Sequence, residues 1–123
     1  ELGKLVARKS CIVICCLDFP YTVGLTTLVE AFALGIPVIC SRNPNFEIDI
    51  DKEGIGITVE YNDVQGWIDA IRYIADHPEE ARRMGNNARK LAEERFNLEI
   101  FSREIAESLL EISNISSKNR TFA

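Results

Sequence analysis

Residues 11–40, "CIVICCLDFPYTVGLTTLVEAFALGIPVIC", decide the fold class once their three parts are read separately. The first part, Cys11 to Leu17, is continuously apolar rather than alternating, and it is rich in β-branched residues. A strand buried on both faces reads this way, and such strands are usually parallel and covered by helices. From residue 25 onward, Leu25, Leu28, Val29 and Phe32 follow the i, i+3, i+4, i+7 spacing of an amphipathic helix. Gly35 stops that helix, and "PVIC" forms a second short strand with proline at its first position, where no ladder donor is lost. The order is strand, helix, strand.

Working outward, residues 1–9 read as the end of a preceding helix. Residues 41–55 form a loop rich in Asn, Asp and Pro that leads to "GITVE", a third strand. Asn62 or Asp63 then caps a helix with Val64, Trp67, Ile68, Ile71 and Ile74 as its apolar set. Pro78 breaks that helix and opens another, whose stripe is Ala81, Met84, Ala88 and Leu91 and whose first turn carries Glu79 and Glu80. A last helix runs from about Leu98 to Ile112 with Phe101, Ile105 and Leu109 on one side, and residues 113–123 are expected to be a disordered tail. The fold class is therefore α/β, a Rossmann-like parallel sheet with a helical C-terminal extension. Residues 1–112 form one partial domain, since three strands make a poor independent sheet. The chain opens on Glu1, not Met, and is read as a piece cut from something longer.

Composition excludes several function classes. A net charge of −5 argues against a nucleic-acid-binding surface. The longest apolar run, Cys11 to Leu17, is far short of the roughly 20 residues a membrane helix needs. Cys11, Cys15, Cys16 and Cys40 form no CxxC and read as small buried hydrophobes in a reducing, cytoplasmic compartment. The alternative joins Cys40 to the Cys15/Cys16 pair in a disulfide or soft-metal site.

The chemistry concentrates in the turn between the first strand and its helix. Open α/β sheets bind ligands outside the carboxyl ends of their strands, and Asp18 to Thr26 lies at such an end. Gly24 lets a ligand approach the backbone, and the free amides of Leu25, Thr26 and Thr27 point outward at a helix start carrying about half a positive charge. Together these suit a phosphate or diphosphate. Glu30 follows Thr26 and Thr27 by four and three residues, so the three share one helical face. A carboxylate there can accept hydrogen bonds from the vicinal hydroxyls of a ribose. The plainer reading makes Thr22 or Thr26 a helix cap, Gly24 a tight turn and Glu30 a solvated residue.

"GLTTLVEAFALGIPVIC", followed by "EGIGITVEYNDVQGWIDAIRYIADHPEEARRMGNNARKLAEERFN", closely resembles the C-terminal domain of GT-B glycosyltransferases of family four, over residues 10 to 110 or so. The resemblance implies the distal half of a nucleotide-sugar-binding domain in a retaining enzyme that transfers a sugar from a nucleotide-diphosphate sugar. It implies that the helix-opening backbone at Gly24, Leu25 and Thr26 holds the donor diphosphate. Glu30 matches the second acid of a Glu-x7-Glu motif, which holds the donor ribose. Thr22 stands eight residues before Glu30, where the family usually has its first glutamate near the transferred sugar. Asp18 is the nearest other acid, and the catalytic residue stays unassigned between them. The resemblance also implies an acceptor-binding N-terminal domain and a basic Arg and Lys pair, neither of which this chain contains. The piece alone is expected to be catalytically silent. No cofactor and no metal are expected, the leaving diphosphate being stabilised by amides and basic residues. No nucleic-acid partner and no transmembrane segment are expected, and peripheral membrane contact of the parent stays open. The Phe101, Ile105, Leu109 face is expected to be exposed without the other domain and to drive self-association.

Other singled-out residues read more plainly. His77 is a turn residue before Pro78, and Trp67 is core. Glu47, Asp49, Asp51 and Glu53 form a solvated acidic loop that lacks the EF-hand pattern. Arg42 and Asn43 follow a strand end and border the expected donor pocket. The rival readings are a sugar-nucleotide epimerase of the same architecture and a non-enzymatic α/β interaction module.

Overall fold

Three short strands, β1 (Ile12–Ile14), β2 (Val38–Ser41) and β3 (Gly56–Val59), pair in parallel in the order β1-β2-β3. The computed structural model describes residues 9–18 and 20–120, with side chains through residue 115. Ile12 lies opposite Val38 and Ile14 opposite Cys40, while Val38 to Ser41 face Gly56 to Val59. The connecting helices are α1 (Leu25–Leu34), α2 (Val64–Asp76), α3 (Pro78–Glu94) and α4 (Leu98–Arg120). Helix α1 crosses between the parallel strands β1 and β2, and three helices follow β3, which makes the chain an α/β protein, a Rossmann-like half sheet with a helical extension.

Side chains of β2 alternate between two layers because successive residues of a strand point to opposite faces. Val38 and Cys40 join Ile14, Leu28, Ala31, Phe32, Ala88 and Leu91 on the face covered by α1 and α3. Ile39 joins Val59, Ala70, Ile74 and Ala81 on the other face, under α2 and the start of α3. Phe32 and Leu28 are fully buried, each contributing about 1.5–3 kcal/mol relative to exposure. Helix α3 approaches α1 closely because Gly85 has no side chain: a Cβ there would stand 2.2 Å from the Gly35 carbonyl oxygen. That contact gives the "RMG" glycine its physical reason.

Helix boundaries follow their caps. Asp63 caps α2, accepting a 2.8 Å hydrogen bond from the Gly66 amide, an interaction of about 1 kcal/mol. Asn62, the other expected cap, instead takes the left-handed conformation at φ 63°. Pro78 opens α3 with Glu79 and Glu80 in its first turn, as the sequence predicts.

Four expectations change. The first strand is only Ile12–Ile14, and it is not buried on both faces, for Val13 is 47% exposed. It forms one edge of the three-stranded sheet among the described residues. In α2 the inward stripe is Trp67, Ala70 and Ile74, whereas Val64, Ile68 and Ile71 are exposed. Helix α4 continues to Arg120 rather than ending at Ile112, because residues 113–120 contain neither glycine nor proline to stop it. In α1, Leu28, Ala31 and Phe32 form the buried set and Leu25 turns outward. The expected helix at residues 1–9 lies, apart from Lys9, outside the described residues.

Candidate functional site

The chain leaves the carboxyl end of β1 and turns into the start of α1, and the local geometry there is set by Gly24. Its φ of 82° and ψ of 5° are left-handed, and a Cβ would stand 2.6 Å from Ile14 Cγ2. Only glycine satisfies both conditions without a shift in the backbone or the core. Gly24 is the N-cap of α1, yet among the described residues no side chain accepts a hydrogen bond from the helix start, and the first turn holds no acid. The first intrahelical bond is Leu28 N–H to Gly24 O, at 3.0 Å. The amides of Leu25, Thr26 and Thr27 therefore have no acceptor among the described residues, at the end of the helix where positive partial charge collects.

The other end of α1 finds partners for three of its last four carbonyls. Gly35 is left-handed, and its amide and that of Ile36 return to the Phe32 and Ala31 carbonyls. The Arg89 guanidinium, which also pairs with Glu93, donates to the Ala33 carbonyl. On the flank of α1, Thr26, Thr27 and Glu30 are all exposed, opposite buried Leu28, Ala31 and Phe32. Spacing alone put Thr26, Thr27 and Glu30 on one helical face, and all three are exposed in the structure, while Gly24 is half-buried and Leu25 exposed at the helix start.

Thr22 and Asp18 do not come together. Thr22 donates a long 3.5 Å hydrogen bond to the Asn45 carbonyl and lines a cleft of about 310 Å³ with Leu25, Asn45, Phe46, Glu47 and Phe96. Asp18 lines another cleft, of about 380 Å³, with Cys15, Ser41, Tyr61, Asn62 and Trp67. Burial, then the nearby Asp18 carboxylate, raise the Tyr61 phenol above its ordinary range.

A residue the sequence reading passed over holds the turn in place. Ser41 is the one polar residue buried among the described residues, at 4% exposure. Its Oγ accepts from the Cys16 amide and donates to the Cys16 carbonyl, both at 3.0 Å. The available signal was the serine ending an otherwise apolar strand.

The remaining candidates are committed elsewhere. Arg42 does not open toward the turn; it pairs with Glu60 and, at 3.2 Å, with Asp51. Asn43 organises its own loop by accepting the Asn45 amide. Asp49 and Asp51 form an Asp-x-Asp pair, a spacing able to hold a divalent cation. Here Asp49 accepts the Lys52 amide, and Asp51 accepts from Thr58 and Arg42. Among the described residues no group of three or more His, Cys, Asp or Glu side chains could hold a metal ion. His77 lies in the α2–α3 turn, stacked on Tyr73 at 4.3 Å, and Trp67 packs against the second core cluster. All four cysteines are free thiols; Cys40 is fully buried, and burial, reinforced by Asp51, pushes its pKa up to about 12. Cys15 is exposed and Cys11 and Cys16 half-buried, so only Cys40 matches the reading of a buried hydrophobe.

A parallel half sheet with helices packed on both faces is a Rossmann-like α/β arrangement. The profile of the family described as glycosyl transferases group 1 matches residues 2–91, and the chain belongs to that family. It is also similar to a D-inositol 3-phosphate glycosyltransferase of Saccharomonospora viridis, 34% identical over 70 residues. That alignment covers 57% of this chain and 16% of the relative's length. No described helix is long and apolar enough to cross a membrane.

Proposed function

We propose that this chain is the distal half of the donor-binding domain of a retaining GT-B glycosyltransferase of family four, and that the intact protein transfers a sugar from a nucleotide-diphosphate sugar. The observation that carries the reading is the bare start of α1. Gly24 leads it, no side chain caps it, and Glu30 stands one turn inward on the exposed face. Family membership supports the sugar-transfer chemistry.

In this reading the amides of Leu25 and Thr26, with the close approach at Gly24, hold the donor diphosphate and stabilise the charge that develops as it leaves. Glu30 accepts hydrogen bonds from the ribose hydroxyls. The acceptor-binding domain and the Arg and Lys that neutralise the diphosphate are assigned to sequence outside this chain, so the chain alone is inactive. No metal is required in this scheme. Thr22 and Asp18 line separate clefts, and neither is assigned the catalytic role. The exposed Phe101, Ile105 and Leu109 face is assigned to contact with the acceptor domain or, in its absence, with a second copy.

The test is Glu30→Ala in the intact protein, with donor affinity measured by calorimetry. Each charge-assisted hydrogen bond contributes about 1.5–3 kcal/mol, so donor Kd should rise on the order of 10- to 100-fold. Unchanged donor affinity would sink the ribose role.

A further inference from the structure

We infer that Ser41 is a positioning residue for the anion-binding turn, acting through Cys16; this rests on the function proposed above. Ser41 is the last residue of β2, and its partner lies beyond the last β1–β2 pair, Ile14 with Cys40. At Cys16 the chain has left the ladder, so its backbone amide and carbonyl need another partner. A single hydroxyl can both donate and accept, and Ser41 Oγ does both, at 3.0 Å to each group. It replaces one rung of sheet pairing with a side chain.

Cys16 stands directly behind the turn. Its Sγ is 3.9 Å from the Val23 carbonyl oxygen, and it would be 3.5 Å from a Cβ at Gly24. The chain of contact runs from the end of β2, through Cys16, to the residues that aim the Leu25 and Thr26 amides. Without the Ser41 oxygen two partly buried backbone groups lose their partners, and the loop must shift to find others. A displacement of about 1 Å at a binding constellation suffices for effects on the order of 100-fold in rate. Ser41 is buried behind Cys16 at the back of the Asp18 cleft, and both hydrogen bonds of its hydroxyl go to Cys16, so its influence on the turn runs through that residue.

The experiment titrates the intact protein with UDP and with GDP, comparing wild type, Ser41→Ala and Ser41→Thr below their unfolding transitions. Kd for the better-bound nucleotide should rise about tenfold in Ser41→Ala and return to within about threefold of wild type in Ser41→Thr, which keeps the hydroxyl. Hydrogen exchange at the Cys16 amide should speed up in the alanine variant alone. If Ser41→Ala does not fold, Ser41→Cys fills the same volume with a weaker hydrogen-bonding group and must show the same direction of change. A merely structural serine would lower Tm and leave Kd within twofold of wild type, and that result overturns the inference while leaving the donor-site reading intact. Failure of the wild-type protein to bind either nucleotide overturns both.

Discussion

Helices α3 and α4 follow one another along the chain and look alike in sequence, each with apolar residues at helical spacing, yet they meet opposite fates. Helix α3 buries Ala81, Gly85, Ala88, Leu91 and Ala92 against α1 and the sheet. In α4 every residue with a described side chain is exposed except Ile100, including Phe101 at 59% and Leu109 at 62%. Most buried positions of α3 are small (Ala81, Gly85, Ala88, Ala92), allowing backbones to meet, whereas the apolar residues of α4 are mostly large and reach outward. Periodicity reports that a helix has a face to cover; it does not report whether the cover belongs to the same stretch of chain.

The same substitution in both helices is the sharpest way to break that contrast. Leu91→Ala should lower unfolding free energy by about 3 kcal/mol, the usual cost of a buried leucine cavity. Leu109→Ala should stay within about 0.5 kcal/mol. Comparable losses at the two sites in denaturant titrations would mean that α4 is packed in solution. Gly85→Ala should cost about 2 kcal/mol, because its Cβ meets the Gly35 carbonyl and the better helix propensity offsets only part of the clash. A neutral result would show α1 and α3 further apart than described here.

The thiols extend the contrast between covered and uncovered regions. In the unfolded chain Cys40 titrates near its ordinary value of 9.0, whereas the fold holds it to about 12. Above pH 9 the native state binds the extra proton, so stability present below that pH falls as pH rises through this window, by about 1.4 kcal/mol per unit. Replacing Cys40 by alanine should flatten that slope, and a slope unchanged in the variant would assign it to other groups. Exposed Cys15 should react first with a thiol reagent, and Cys40 only on unfolding.

What could be read in the sequence was what local rules determine. The strand–helix–strand unit, the Asp63 cap, the Pro78 start of α3 and the glycine-led turn all depend on residues a few positions apart. Gly24 was legible because a glycine at a helix start has few other uses, and Glu30 because helical spacing alone puts it beside Thr26. Ser41 was not legible, since its partner Cys16 lies 25 residues away and only the strand pairing brings them together. The exposure of Val13 was equally hidden: "CIVICCL" has the composition of a central strand, and its position at the edge depends on which strands stand beside it. The partners of Arg42 were hidden for the same reason, because Asp51 and Glu60 are brought to it by the β2–β3 pairing.

The two ends of α1 have a consequence beyond binding geometry. Its carboxyl end closes on Gly35 and meets the Arg89 guanidinium, a positive group supplied by another helix and shared with Glu93, while among the described residues its amino end has neither carboxylate nor capping oxygen. The fold has thus compensated one pole of a ten-residue rod and left the other bare. Such a rod is an unbalanced electrical element. Its residual field points outward at Gly24, and the described residues leave that pole without a counter-charge.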